Sequence, residues 1–364
     1  MKKIGIITIN NRWNAYNYGG QLQCYALGRF LRQHGYKPQV IMYNEYGRAH
    51  NIVATLCNEF IYKLKVFACS FLRSYSRKRI CSFERFSNKY IKKRKIPFHK
   101  GINYNKLNDE YDFFIAGSDQ VWNPNYYDDM YFNFLKFASN EKRIAYAPSI
   151  EISNLSISQE QMFKKYLEGF DKISCREQVG ADILSKITGK HIPVVLDPTL
   201  LFDASEWEKI ECKPKFHNRN RYILLYFLGE ITEDYRRYIE KISEEYGFIV
   251  INLNDINSPY FSCGPAEFVY ILHNAQIVFT DSFHACVFSI IFKRHFMAFD
   301  RQDGGESMAN RLDNLLNMLN IPNHKFKKDV DVNLIMNFNY ENSHQILKQL
   351  RKQSVDFLLA ALNN

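Results

Sequence analysis

Short apolar runs alternate with helix-patterned segments along almost the whole chain, and this alternation restricts the fold more than any other property of the sequence. In the N-terminal half, "KIGIITI" (3–9), "QVIMYN" (39–44), "DFFIAGSD" (112–119) and "RIAYAPSI" (143–150) read as buried strands. Between the first two lies "QLQCYALGRFLRQHG", a helix whose stop signal is Gly35. Ser158 with Gln161 is expected to form a capping box for a helix with Phe163, Leu167 and Phe170 on one face. A helix over 177–188 and the run "PVVLD" follow. The alternation then restarts with "YILLYFL" (222–228), a helix opened by Thr232 and closed by Gly247, "FIVINL", a helix at 265–273, "QIVFTD", a helix at 283–293 and "HFMAFD". Strands joined through helices imply parallel sheets covered on both faces, so the expected class is α/β.

A chain of 364 residues exceeds one ordinary folding unit. Two doubly wound, Rossmann-like domains with an interdomain cleft are expected. The first spans 1–199 and carries a basic helical insertion over 50–100; the second spans 200–340 and carries the segment Thr280–His284. Pro198 is the expected hinge, and a last helix in 341–364 is expected to pack back on the first domain.

The apolar fraction of 46% supplies two cores and excludes a mostly disordered chain. The start "MKKIGIITINNRW" reads as a first strand rather than a signal peptide, and no apolar run approaches the roughly 20 residues that cross a bilayer. A soluble, cytoplasmic protein is expected. Eight cysteines without a C-x-x-C pair lie mostly in apolar runs, which suits buried free thiols better than disulfides or zinc.

Charge is concentrated. Residues 61–100 hold thirteen Lys or Arg and one Glu, a balance of +12, so the rest of the chain sums to 10 − 12 = −2. Phe67, Phe71, Leu72, Tyr75, Phe83, Phe86 and Tyr90 recur there at helical spacing, giving one or two basic amphipathic helices. They read either as a solvated insertion packed on the core or as a contact with an anionic membrane surface, at the inner face of the cell membrane, or with a polyanionic substrate. No nucleic-acid motif accompanies the charge, and no nucleic-acid partner is expected.

In open α/β sheets, ligands sit beyond the carboxyl ends of the strands, where helices offer N–H groups to anions. Four loops qualify. They are the 10–20 loop with Asn17, Gly19 and Gly20, then Ser118, Asp119 and Gln120 after the third run, Arg176 after "ISC", and Asp281, Ser282, Phe283 and His284 in "QIVFTDSFHACVFSIIF". Each has a plainer reading. The two glycines permit a tight turn, Asp119 and Asp281 cap, Arg176 pairs with Glu177, and His284 sits in a core with Phe288 and Ile291. No metal-ligand spacing is present.

The ordered set "NAYNYGGQLQCYAL", "IAGSDQVWNP", "RIAYAPSI", "SCRE", "VVLDPTLLF", "TDSFHACVFSIIFKRHFMAF" and "NRLDNLL" resembles the polysaccharide pyruvyl transferase family over nearly the whole chain. The resemblance implies a GT-B-like fold and transfer of pyruvate from phosphoenolpyruvate to two hydroxyls of a sugar, forming a cyclic ketal. Phosphoenolpyruvate is then a co-substrate, and no cofactor is needed. The acceptor is a glycan or lipid-linked oligosaccharide of a capsule or exopolysaccharide. Arg176 is the expected grip on the donor's carboxylate or phosphate. His284 is the expected acid, toward C3 of the donor or toward the leaving phosphate. Asp119 and Asp281 are candidate bases or partners that orient His284.

The chain departs from the family pattern at three positions. Ser282 stands where many members have arginine, Ala285 where many have glycine, and Glu151 where "YAPSIG"-like motifs have glycine. Another cation, Arg301 or Arg311, would then clamp the phosphate, with Asn310 beside it. A GT-B glycosyltransferase using a nucleotide sugar, and a non-catalytic glycan-binding or scaffold protein, are the rival readings.

Overall fold

The computed structural model describes residues 1–9, 17–43, 75–96, 104–126, 130–218, 220–302, 305–328 and 330–363, with 43 and 305–310 given by backbone alone. The chain divides into two compact units. Met1–Tyr16, Gly20–Pro198 and Leu358–Asn364 form the first, and Asn17–Gly19 with Thr199–Phe357 form the second.

In the first unit, β1 (Lys3–Ile7), β2 (Lys37–Tyr43), β3 (Lys93–Ile96), β4 (Phe113–Asp119), β5 (Arg143–Pro148) and β6 (Lys172–Ile173) form one sheet in the order β3-β2-β1-β4-β5-β6. All pairs are parallel. This is the doubly wound order of dinucleotide-binding folds, reversing direction beside β1. β4 is buried on both faces, as its unbroken run "FFIAGSD" requires. The helices are α1 (Tyr18–Gln33), α2 (Tyr75–Tyr90), α3 (Asn105–Glu110), α4 (Ile157–Leu167) and α5 (Gln178–Thr188). The Asn17–Gly19 segment that opens α1 groups with the second unit.

Several expectations shift. The capping box is made by Ser156 and Gln159, not Ser158 and Gln161: Ser156 Oγ accepts from Gln159 N at 3.3 Å, and Gln159 Oε1 accepts from Ser156 N at 2.9 Å. Phe163 and Leu167 are buried on α4, while Phe170 is buried beyond its end. Within the expected basic helical insertion, α2 is an amphipathic helix that buries Arg79, Phe83 and Phe86, but Lys93–Ile96 is the parallel edge strand of the sheet. β-branched and aromatic residues are scarce there, and pairing with β2 decides the state. Lysine and arginine on an outer strand also discourage pairing with another chain. Residues 44–74 and 97–103, the remainder of the expected insertion, lie outside the described residues. So do Cys57 and Cys69. Cys24, Cys175, Cys263 and Cys286 are buried free thiols, whereas Cys81 and Cys212 are exposed.

The second unit holds α6 (Ala204–Glu208), β7 (Tyr222–Tyr226), α7 (Glu233–Tyr246), β8 (Ile249–Asn252), α8 (Pro265–His273), β9 (Ile277–Thr280), α9 (Phe283–Ile291), β10 (His295–Ala298), α10 (Gly305–Met318), α11 (Val332–Met336) and most of α12 (Glu341–Asn363). Its four parallel strands are ordered β10-β9-β7-β8. Thr232 caps α7, accepting from Tyr235 N, and Gly247 ends it at φ +62°, a conformation costly for a residue with a Cβ. β7 and β9 bury Ile223, Leu225, Ile277 and Phe279 against Ile239, Ile242 and Phe299. No described helix is long and apolar enough to cross a membrane.

Candidate active site

The carboxyl end of β4 turns sharply in the first unit. Asp119 has φ 62°, and nearby Ala147 and Glu151 also take positive φ, at 53° and 62°. Such conformations strain residues with a Cβ and persist where surrounding contacts hold them. The backbone carbonyl of Asp119 closes the turn, accepting from Val121 N at 2.7 Å and Ser149 N at 2.8 Å. Its carboxylate is directed to Arg176 instead of capping that turn.

Arg176, only 4% exposed, gathers three carboxylates. Nη1 lies 3.1 Å from Asp197 and 3.7 Å from Asp119, and Nε lies 3.5 Å from Glu177. Ser118 Oγ donates to the same Asp197 oxygen at 2.8 Å. Glu177 Oε1 accepts from Ser149 Oγ and from Ile150 N at 3.2 Å. Asn123 donates to Glu151 at 3.0 Å. Burial presses the Arg176 pKa down, but Glu177, Asp119 and Asp197 outweigh it and hold the guanidinium above its ordinary value. The Glu177 pair anticipated as the plain reading is present. The fork is also engaged by Asp197, the last residue of "PVVLD", where the strand-end rule applied elsewhere finds it. Ser118 and Gln120 are buried beside Asp119.

In the second unit, β9 ends at Thr280 and α9 begins at Phe283 with Ser282 as its N-cap. Ser282 makes no side-chain cap bond, and its N–H donates to Thr280 Oγ1 at 3.0 Å. Asp281 does not cap α9. Its two oxygens accept from Leu228 N at 2.7 Å and Gly229 N at 2.8 Å, and Arg301 Nε lies 3.3 Å away. A carboxylate so occupied fixes the loop after β7. Proton abstraction by Asp281 would cost it those bonds.

His284 lies in the first turn of α9, 6% exposed, with its ring edge-on to Phe283 at 5.2 Å. Gly19 packs directly on that ring: a Cβ there would sit 2.0 Å from His284 Nδ1. Asn17 Oδ1 accepts from Gly19 N at 2.8 Å, and Tyr18 anchors the segment by donating to Cys263 O at 2.9 Å and stacking on Phe268 at 4.4 Å. Tyr18 carried no signal in the sequence beyond its place in the quoted motif. Gly20, in the first unit, is less crowded, its nearest neighbour being Ile9 O at 3.5 Å from a built Cβ. Arg311 is half-buried on α10, and the side chain of Asn310 lies outside the described residues. Among the described residues no group of three or more His, Cys, Asp or Glu is placed to hold a metal ion.

A putative UDP-N-acetylglucosamine 2-epimerase of Listeria monocytogenes is similar in structure, with a TM-score of 0.51 and 12% identity over 95% of this chain and 90% of that one. A UDP-GlcNAc 2-epimerase of Neisseria meningitidis gives 0.49 and 12% over 99% and 100%. The E. coli ADP-heptose lps heptosyltransferase II gives 0.35 and 11% over 97% and 99%. At such identity the likeness to the Listeria protein is one of fold, the GT-B class of two Rossmann-like units. No curated protein matches the sequence. The polysaccharide pyruvyl transferase profile matches residues 17–303, from the segment that packs on His284 to just past Arg301. That span covers most of the chain and both residue clusters described above, and the chain belongs to the polysaccharide pyruvyl transferase family.

Proposed function

We propose that the protein transfers pyruvate from phosphoenolpyruvate to two hydroxyls of a sugar in a polysaccharide or its precursor, releasing phosphate and leaving a cyclic ketal. The observation that carries the reading is the placement of His284 at the carboxyl end of β9, in the first turn of α9 and held against Gly19. Family membership supports the reaction class. A helix opening favours anions through its backbone N–H groups and dipole, and α9 opens beside His284.

The chemistry adds a proton at C3 of the donor while a sugar oxygen attacks C2. Phosphate then departs, and the second hydroxyl takes its place with loss of a proton. His284 serves as the acid in this sequence. Asp119, held beside Arg176, serves as the base toward the sugar. With three carboxylates around its guanidinium, Arg176 acts as the residue that positions Asp119. A donor carboxylate gripped there would have to displace one of them.

The test is phosphate release from phosphoenolpyruvate in the presence of candidate glycan acceptors, with thermal stabilisation by phosphoenolpyruvate and by UDP-sugars measured alongside. Ligand at a hundred times its dissociation constant stabilises by about 2.7 kcal/mol. Stabilisation by phosphoenolpyruvate, with turnover lost in His284→Ala, supports the proposal. Stabilisation by a nucleotide sugar alone overturns it in favour of glycosyl transfer.

A further inference from the structure

The α2 helix presents an arc that the proposed reaction does not use. Arg77, Lys78, Cys81, Arg85, Asn88 and Lys89 are all exposed. At about 100° per residue they fall within roughly 120° of one another. The opposite side is fixed: Phe83 and Phe86 are buried, and Tyr25 of α1 packs on Phe86 at 6.0 Å and on Tyr90 at 5.5 Å. The helix therefore holds its arc outward on a rigid base. The arc contains no acid, and the single acid of the helix, Glu84, is half-buried at its margin. Lys92 and Lys95 continue the charge, exposed, into β3. Arg94 is engaged by Glu110, and Lys93 donates to Ser87 Oγ at 2.8 Å, so those two belong to the fold more than to the surface.

We infer that this arc docks the protein on an anionic lipid surface. The charge is of one sign and spread along a helix of 16 residues, about 24 Å, rather than gathered round a pocket. No aromatic or aliphatic side chain lies on the arc, so the contact is adsorption to headgroups without insertion into the acyl region. Such an extended cationic face complements a planar anionic one, and screening by salt reverses the contact. The inference stands apart from the reaction proposed above, since none of these residues belongs to either cluster.

The experiment is co-sedimentation of the full chain with phosphatidylcholine vesicles, with and without phosphatidylglycerol, at low and high salt. The wild type is expected to pellet only with the anionic vesicles and only at low salt. Each basic residue contributes about fivefold to partitioning. The variant Arg77→Glu, Lys78→Glu, Arg85→Glu, Lys89→Glu is thus expected at the background level, with an unchanged melting midpoint. The milder pair Arg85→Ala, Lys89→Ala, which keeps the helix under any loss of fold in the first variant, is expected to lose more than tenfold. Equal pelleting of wild type and either variant overturns the inference. So does retention of the wild type on an acidic polysaccharide resin but not on the vesicles, and so does failure of the wild type to pellet at low salt.

Discussion

Gly19 and His284 are in contact so close that no side chain can stand between them. A Cβ on Gly19 would lie 2.0 Å from Nδ1 and 2.4 Å from Cγ of the imidazole. Gly19→Ala must therefore displace the ring, at a cost of about 1–3 kcal/mol for overpacking. Turnover is expected to fall by at least the factor lost in moving the acid. Gly20→Ala is the control. Its Cβ meets Ile9 O at 3.5 Å, an ordinary contact, and alanine gains up to about 1 kcal/mol in a helix. The melting midpoints of the two variants should move in opposite directions, and phosphate release should fall in Gly19→Ala.

Arg176 holds Asp119, Asp197 and Glu177 in a largely buried cluster. Arg176→Ala leaves three carboxylates facing one another, and destabilisation of about 3–5 kcal/mol is expected. Arg176→Lys keeps the charge but not the fork, and should fall between. Asp197→Asn in the Arg176→Ala background relieves part of the repulsion among those carboxylates and recovers part of the lost stability. Denaturant titration of the wild type, Arg176→Ala, Asp197→Asn and the double variant, as a double-mutant cycle, measures the Arg176–Asp197 coupling.

The strand–helix alternation carried β1, β2, β4, β5 and the strands of the second sheet, because short apolar runs between helix patterns read as strands without further information. Thr232 and Gly247 were legible for the same reason, as caps act within a few residues. β3 was not legible. "KRKI" has the composition of a solvated segment, and only its pairing with β2 makes it a strand. In the two units taken separately, the sequence put Arg176 and Asp119, and Asp281 and His284, at strand ends but did not reveal their partners. Asp281 reads as a helix cap because it precedes a helix. Its amide donors, Leu228 and Gly229, lie 52 or 53 residues away in sequence. Likewise the packing of Gly19 on His284 joins positions far apart in the chain, which no local pattern encodes.

His324 is fully buried among Phe296, Phe338 and Tyr340, with Nε2 3.2 Å from Tyr340 OH. Burial, and secondarily His295, lowers its pKa from 6.5 to about 4. Below pH 6.5 the unfolded chain takes up a proton that the folded chain refuses. Stability is therefore whole above that pH and is lost as pH falls toward 4, by about 3 kcal/mol at most. His324→Phe removes the titration, while Tyr340 OH still donates to Arg294 O at 2.8 Å. The difference in melting midpoint between wild type and His324→Phe should shrink or reverse as pH is lowered from 7 to 4. A difference independent of pH would refute the assignment.

Asp281 offers the sharpest separation of an anchor from a base. Its oxygens accept from two backbone N–H groups and meet Arg301, so the group is built to hold the loop after β7. Asp281→Asn keeps one acceptor and turns an NH2 group toward a backbone donor, leaving a buried N–H unsatisfied at about 1–3 kcal/mol. Arg301→Ala removes only the third partner, whose side chain is partly exposed, and should cost less. An anchor predicts that activity lost in Asp281→Asn tracks loss of folded protein, with the pH dependence of turnover unchanged in the fraction that remains folded. A base predicts full folding with turnover reduced on the alkaline plateau. Stopped-assay pH profiles, normalised to the folded fraction from circular dichroism, distinguish the two.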